Sequence, residues 1–337
     1  MNLNRILNTA ETFFYLQKYK NKKILFIIDS YKDFQNLSFD LYVLLKAGIV
    51  PIVILNSNIS IDIMKSEYQL NIEYKEISNL DFFTDTNISI IQFKTFNKKY
   101  IEDIISKQKI EKVFIINNYF PYKNLKGKLV YNINFNELDQ KNVNKDYYLL
   151  INSLYKKIEF ILISSHTGGV FNELFTHSGA GALITNKKII YRNALVSDAD
   201  EIKLLLSPYV YSKQVLEMPE KEILNNISNF YLETYNDQII SMCLIKKYTQ
   251  SVEIGKLCTI PRYQGQGKAV NMIKTVFNLY KDSDFKYLFL LSTNEYLQNL
   301  LISIGFKEKE RNLLDLKWQK NYDFSRASKA YIKLLEN

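Results

Sequence analysis

Cysteine and histidine are scarce in this sequence, with two of each in 337 residues. Cys243 and Cys258 each sit inside an apolar run, the setting of a buried, reduced thiol. Together with His166 and His177 they form none of the paired spacings that zinc requires, so no metal is expected. Long apolar runs are also missing. Those present, such as Ile24–Ile28 and Phe160–Ile163, suit buried strands and fall far short of the roughly 20 residues that cross a bilayer. The opening Met1-Asn-Leu-Asn-Arg5 lacks the apolar stretch of a signal peptide, which makes the cytoplasm the expected location and leaves no membrane partner in view. Internal repeats and low-complexity tracts are absent. Basic residues exceed acidic ones, for a net charge of +9. The lysines are nonetheless scattered among Asn, Ile and Tyr without a basic run or a zinc-finger pattern, so a nucleic-acid partner is not expected. Such a surface can still attract an anionic cofactor.

What is present reads as two domains, since 337 residues exceed the usual size of one core. In the first half, strand signals at Lys23–Asp29, Ile49–Leu55, Ile88–Phe93, Lys112–Asn117, Lys128–Phe135, Phe160–Ser164 and Ala182–Ile184 alternate with helical stretches at Ser38–Ala47, Lys98–Lys107, Asn144–Lys156 and Val170–Phe175. That alternation predicts an α/β domain with a mainly parallel sheet between helices. The polar break Thr185-Asn-Lys-Lys188 places the boundary, giving domains 1–187 and 188–337. The second half has another rhythm. A strand at Ile189–Asn193 leads to a helix from Asp198, with Ser197 as its expected cap, and a second helix begins at Pro219. A hairpin follows, Tyr231–Tyr235 and Gln238–Lys247 about a turn at Asn236-Asp237. Then come a strand at Ser251–Ile260, a helix at Ala269–Tyr280, a strand at Lys286–Ser292 and a helix at Glu295–Ser303. Paired strands are expected at Phe306–Asn312 and Leu314–Trp318. The order predicts an α+β domain.

The sharpest local signal is Arg262-Tyr-Gln-Gly265-Gln-Gly267-Lys-Ala269, between a strand and an amphipathic helix. Two glycines one residue apart let backbone N–H groups come close to a phosphate, and the helix that follows presents its N-terminal dipole to the same anion. Arg262, Gln264, Gln266 and Lys268 are candidate ligands around Gly265 and Gly267, with Arg262 and Lys268 supplying charge. A pyrophosphate-bearing cofactor suits the arrangement.

The run Arg-x-x-Gly-x-Gly after such a strand resembles the acyl-CoA motif of the GNAT superfamily, and Ile304-Gly-Phe306 at the end of the last long helix resembles that fold's closing signature. A wider resemblance covers nearly the whole chain. Glu173-Leu-Phe175 with Gly179-Ala-Gly181-Ala-Leu-Ile184, the helix after Pro208, Glu253-Ile254, Ser292-Thr-Asn294 and the tail Tyr322-Asp-Phe-Ser-Arg326-Ala-Ser328-Lys329 resemble pieces of bacterial N-acetylglutamate synthases. In those enzymes an amino-acid-kinase-like domain precedes a GNAT acetyltransferase domain. The resemblance implies acetyl-CoA as co-substrate, L-glutamate or a similar small amine as acceptor, L-arginine as effector, and a homo-oligomer built through the N-terminal domain.

The reaction suggests the roles. An amine that attacks a thioester must first lose a proton, so a carboxylate base is useful, and Glu253 is the candidate. Backbone N–H groups at Leu257, Cys258 and Thr259 are candidates to steady the oxyanion and the pantetheine chain. Ser292, with Tyr296 as a second choice, is a candidate to protonate the departing thiolate. Arg326 and Ser328 in the tail, and Lys256, are candidates to meet the carboxylates of the acceptor. The chain departs from the family at Leu216-Glu217-Met218-Pro219, where an arginine would hold the glutamate side chain. Glu217 there would favour a cationic acceptor, so another amino acid or a polyamine stays open beside glutamate. A cofactor sensor without turnover is a third reading, against which Glu253 and the intact glycine loop speak. The N-terminal domain is short and reads Ile28-Asp29-Ser30 and Leu55-Asn56-Ser57 where kinases place a lysine and glycines, so no phosphoryl transfer is expected.

Overall fold

A computed structural model describes residues 3–29, 31–55, 72–75, 87–93, 96–116, 132–138, 143, 145–158, 160–164, 170–177, 179, 181–185, 189–235 and 238–335. Several expectations therefore lie outside the described residues: Ser30, Asn56-Ser57, the first part of the Lys128–Phe135 strand, the break at 186–188 and the Asn236-Asp237 turn. The chain divides into two units, Met1–Lys187 and Lys188–Asn337.

The first unit is an eight-stranded sheet in the order β3-β4-β2-β1-β5-β7-β8-β6. Its strands are β1 (Lys23–Ile28), β2 (Val50–Leu55), β3 (Ile72–Lys75), β4 (Ile88–Gln92), β5 (Lys112–Ile116), β6 (Asn132–Asn134), β7 (Phe160–Ser164) and β8 (Ala182–Thr185). All pair in parallel except β7 with β8. The central strands are buried on both faces, which is why they read as unbroken β-branched runs. Among the described residues of this unit the helices are α1 (Leu3–Tyr19), α2 (Tyr31–Lys46), α3 (Lys98–Gln108), α4 (Lys145–Leu154) and α5 (Val170–Phe175). The α/β expectation holds here; α1 and β3 went unread in the sequence. At the C-terminal end of β1, Asp29 accepts a hydrogen bond from the Tyr147 hydroxyl of α4.

The second unit is a seven-stranded sheet in the order β14-β15-β13-β12-β11-β10-β9. The strands are β9 (Ile190–Asn193), β10 (Phe230–Tyr235), β11 (Gln238–Lys247), β12 (Ser251–Thr259), β13 (Tyr287–Ser292), β14 (Lys307–Lys309) and β15 (Lys329–Leu334), and the helices are α6 (Ala199–Tyr211), α7 (Glu220–Asn225), α8 (Lys268–Tyr280), α9 (Glu295–Ser303) and α10 (Leu316–Gln319). Alternation along the strands sends side chains to two separate cores. On one face Val252, Ile254, Leu288 and Leu290 pack with Met272, Ile273 and Val276 of α8. On the other, Tyr287 and Phe289 pack with Leu314, Trp318, Tyr248 and Tyr322.

Two local expectations are corrected. Leu314–Trp318 is not a strand: the Asp315 carboxylate accepts the Lys317 N–H at 2.9 Å and the Gln250 N–H at 2.9 Å, which starts the turn of α10 instead. The strand that completes the sheet is β15, inserted between β13 and β14. Asp198, rather than Ser197, organises the entry to α6. Its carboxylate accepts the Leu195 N–H at 2.7 Å and two Arg192 guanidinium N–H groups at 2.7 and 2.9 Å.

Candidate active site

The only parallel pairing described in this sheet, β12 with β13, is also its shortest contact between central strands. It spans Ser251–Glu253 against Tyr287–Phe289 and then stops. Beyond that point β12 stays paired to β11 and β13 to β15, so the two inner strands part like a fork. A bulge helps to part them. Met242 and Leu244 of β11 face Cys258 and Gly255 of β12, so β12 holds one extra residue there, and Lys256 adopts a left-handed backbone with φ of 50°. A bulge of this kind bends its strand and raises the local twist.

Glu253 stands where the fork opens. Its strand neighbours are Lys246 of β11 and Phe289 of β13, so it points to the aromatic face, away from α8. The Tyr248 hydroxyl donates to Glu253 Oε2 at 2.8 Å. Burial holds the Glu253 carboxyl above the usual carboxylate range, opposed by the Tyr248 hydrogen bond and by the charges of Lys246 and Lys256. A carboxylate so placed takes up a proton more readily than one in water.

At the far end of β12 the chain turns through Ile260 into the glycine loop. Gly265 and Gly267 have φ of 73° and 75°, and a Cβ added at either would meet nothing within 4 Å. The loop therefore presents bare backbone to open space at the N-terminus of α8, whose first N–H groups lack helical partners. The geometry fits an anionic group. The surrounding glutamines brace the loop: Gln266 Nε2 donates to the Arg262 carbonyl at 2.8 Å, and Gln264 Nε2 to the Tyr209 hydroxyl at 2.9 Å.

Lys268 lies elsewhere than its candidate role supposes. Its ammonium turns inward and meets the fully buried Glu233 of β10 at 2.7 Å. Lys268 thus brings to the loop its place at the helix start, and its charge to the interior. Glu233 is raised by burial and drawn back by Lys268 and Tyr191, while burial and Glu233 push Tyr191 up to about 12.

Of the three β12 residues named for backbone donation, Thr259 is already engaged. The Tyr209 hydroxyl of α6 accepts its N–H at 3.0 Å and donates to its carbonyl at 2.6 Å. Leu257 and Cys258 lie between the bulge and this clamp. The Cys258 and Cys243 thiols are buried and pushed upward by that burial, so they act as packing groups. Ser292 closes β13, where its hydroxyl accepts the Asn294 N–H at 3.0 Å and donates to the Asn294 carbonyl at 3.1 Å. It is buried inside the turn that leads into α9, whose cap is Asn294.

The tail meets the segment after α6. Arg326 donates to the Gln214 carbonyl at 3.2 Å, and the Lys256 ammonium donates to the Leu216 carbonyl. Two cations thus converge on backbone oxygens of the stretch in which the sequence offers no arginine. Burial lowers Lys256, with the positive charges of Lys246 and Arg326 adding to the effect and Glu222 opposing it. Ser328 is buried and shares a hydrogen bond with the Tyr322 hydroxyl, and the Arg326 carbonyl accepts from Arg311.

Sequence reasoning missed Lys246, Tyr248, Tyr209 and Glu233. The first two were within reach, because a hairpin turning at Tyr248–Gln250 sets Lys246 across from Glu253. Tyr209 acts on a residue 50 positions away and leaves no local mark.

Residues 199–315 match the acetyltransferase (GNAT) domain, so the second unit is an acetyltransferase domain, and an acyl-CoA-dependent acetyltransferase is the class that fold and site define. Nearly the full chain has the fold of the N-acetylglutamate synthase from Neisseria gonorrhoeae, solved with coenzyme A and L-arginine. That likeness covers 98% of this chain and 99% of the other, with a TM-score of 0.67 and 16% identity. An uncharacterized N-acetyltransferase of Chlorobaculum tepidum is 24% identical over 121 residues, 36% of this chain and 76% of the relative. No group of three or more His, Cys, Asp or Glu side chains suited to a metal occurs among the described residues. No helix among them is long and apolar enough to cross a membrane.

Proposed function

We propose that this protein transfers acetyl from acetyl-CoA to the α-amine of L-glutamate, with donor and acceptor bound together. The observation that carries the acceptor is the convergence of Lys256 and Arg326 on the carbonyls of Leu216 and Gln214, with Lys246 and Glu253 beside them. Two carboxylates on the acceptor would find there the cations that the stretch 216–219 itself lacks. Arg326 can bind one of them through two parallel N–H groups. A polyamine would instead bring positive charge to a patch already rich in it, which ranks that acceptor below a dicarboxylate.

Acetyl-CoA supplies the thioester carbonyl. Its pyrophosphate would lie on the Gly265/Gly267 loop against the first N–H groups of α8, and its pantetheine would follow the open edge of β12. Glu253 takes a proton from the acceptor's ammonium, directly or through water. The freed amine attacks the carbonyl carbon, the C–N bond forms, and the backbone N–H of Leu257 is the proposed donor to the charge that develops on oxygen, the Cys258 N–H facing β11. The C–S bond then breaks, the nitrogen gives up its second proton, and the thiolate gains one, so that one proton is released overall. Ser292 is the proposed donor, acting through its turn hydroxyl, with Tyr296 on the exposed start of α9 as the second choice.

A homo-oligomer assembled through the N-terminal unit is part of the same proposal, on the sequence resemblance alone, and so is L-arginine as an effector, since the similar synthase was solved with it. The first test is release of coenzyme A thiol from acetyl-CoA in the presence of each common amino acid and several polyamines. Turnover with glutamate, slowed by added L-arginine, is the expected result. Turnover with another amine and none with glutamate would overturn the acceptor assignment.

A further inference from the structure

We propose that Tyr248 is a positioning residue for the general base: its hydroxyl holds one oxygen of Glu253 so that the other is presented for proton abstraction. The inference rests on the reading of Glu253 as base. The geometry is built from three elements. Tyr248 follows β11 directly, and its N–H donates to the Ser251 carbonyl at 2.9 Å, which fixes its backbone in the hairpin turn. Its ring lies 6.0 Å from that of Phe289 on β13, within the aromatic cluster that also contains Trp318 and Tyr322. From that anchored ring the hydroxyl reaches Glu253 Oε2 at 2.8 Å.

The second oxygen has a different neighbour. Oε1 lies 3.7 Å from the point where a side chain at Gly255 would begin, so a glycine leaves the approach to it clear. Among the described residues no hydrogen bond ends on Oε1. One oxygen is thus held and the other is free to take the proton, and Tyr248 keeps its own proton throughout. A carboxylate held by one directional bond loses less orientational freedom on reaching the transition state.

The charges around the carboxyl are Lys246 across β11 and Lys256 on β12, with the uncharged Phe289 on the β13 side, while Asp315 acts on the Tyr248 hydroxyl. Burial favours the protonated acid, whereas Tyr248 and the two ammonium groups favour the anion. Loss of the hydroxyl therefore moves the carboxyl further up, and the base stays protonated over a wider range of pH.

The experiment is the pH dependence of kcat for the full-length enzyme and three variants, using the acceptor found by the thiol-release screen. Tyr248→Phe keeps the ring against Phe289 and removes only the donor. It should move the acid limb to higher pH, with about a tenfold loss of kcat on the limb and less than about a threefold change on the plateau. Replacement of Tyr248 by a ring-fluorinated tyrosine, a more acidic donor, should move the limb the opposite way. Glu253→Gln should abolish the limb together with most of the rate. An unmoved limb in both Tyr248 variants, with the limb lost in Glu253→Gln, would overturn the proposal and leave Glu253 as base. A wild-type limb and rate in Glu253→Gln would overturn the base assignment itself.

Discussion

Tyr209 does for the end of β12 what a neighbouring strand would otherwise do. Both backbone groups of Thr259 are satisfied by one hydroxyl, which Gln264 also reaches. Tyr209→Phe leaves a buried N–H and C=O without that partner, and a loss of about 1–3 kcal/mol is expected in urea unfolding. The glycines of the loop respond to a different constraint. At Gly267 an alanine Cβ would meet open space, so the cost comes from the left-handed backbone, about 1–2 kcal/mol. The same methyl would project into the space proposed for the pyrophosphate. Gly267→Ala should therefore weaken coenzyme A in calorimetric titration by more than its effect on melting suggests. Gly265 and Gly267 were legible as candidates because a Gly-x-Gly run between a strand and a helix is rare and local, and Glu253 only through its place on the central strand. Tyr209 and Glu233 were not legible: tyrosine and glutamate are common in this sequence, and only tertiary contact separates these from the rest.

Among elements, α8 depends on a buried ion pair for its seat. Lys268 and Glu233 join its first turn to β10 at 2.7 Å, with Glu233 wholly removed from solvent. Breaking such a pair from one side strands the other charge, so Glu233→Ala should cost about 3–5 kcal/mol. Replacing Glu233 and Lys268 together with apolar residues should recover most of it, and chemical denaturation of the single and double variants measures both. The elements themselves were largely legible. The parallel strands of the first unit announce themselves as β-branched runs, and α8 as an apolar stripe at Met272, Ile273 and Val276. Errors gathered at the tail. Leu314–Trp318 alternates like a strand, but Asp315 binds two backbone N–H groups and Trp318 fills the aromatic core, and those contacts favour a helical turn. The strand at Lys329–Leu334 was passed over because its pattern is short and its partners lie far back in the chain.

For the whole molecule, the excess of 44 basic over 35 acidic residues acts at a distance. Coenzyme A is a polyanion, and long-range attraction to a positive surface weakens as salt shortens the Debye length to about 8 Å at 0.15 M. The KM for acetyl-CoA should rise as ionic strength increases, while kcat stays nearly constant. A KM independent of salt would mean that the lysines are too dispersed to steer the cofactor. The division into two units was visible as a change of rhythm near Thr185, since strand–helix alternation gives way to hairpins there. In the first unit Asp29 is bonded to Tyr147 at the end of β1. An acidic group at that position would repel a phosphate brought near it.

The place of β15 has a consequence for the order in which this molecule can be made. It follows every other strand of its sheet along the chain, yet β14 pairs with the sheet only through it. A ribosome releases the chain from its N-terminal end, so the fork between β12 and β13 can form while β14 still has nothing to join. The residues that emerge just before β15 are Arg326 and Ser328. Threading the last strand into the sheet and delivering the tail arginine to the Gln214 carbonyl are then one event. A nascent chain halted short of Lys329 would lack the strand that joins β14 to β13 and sets Arg326 beside the Gln214 carbonyl.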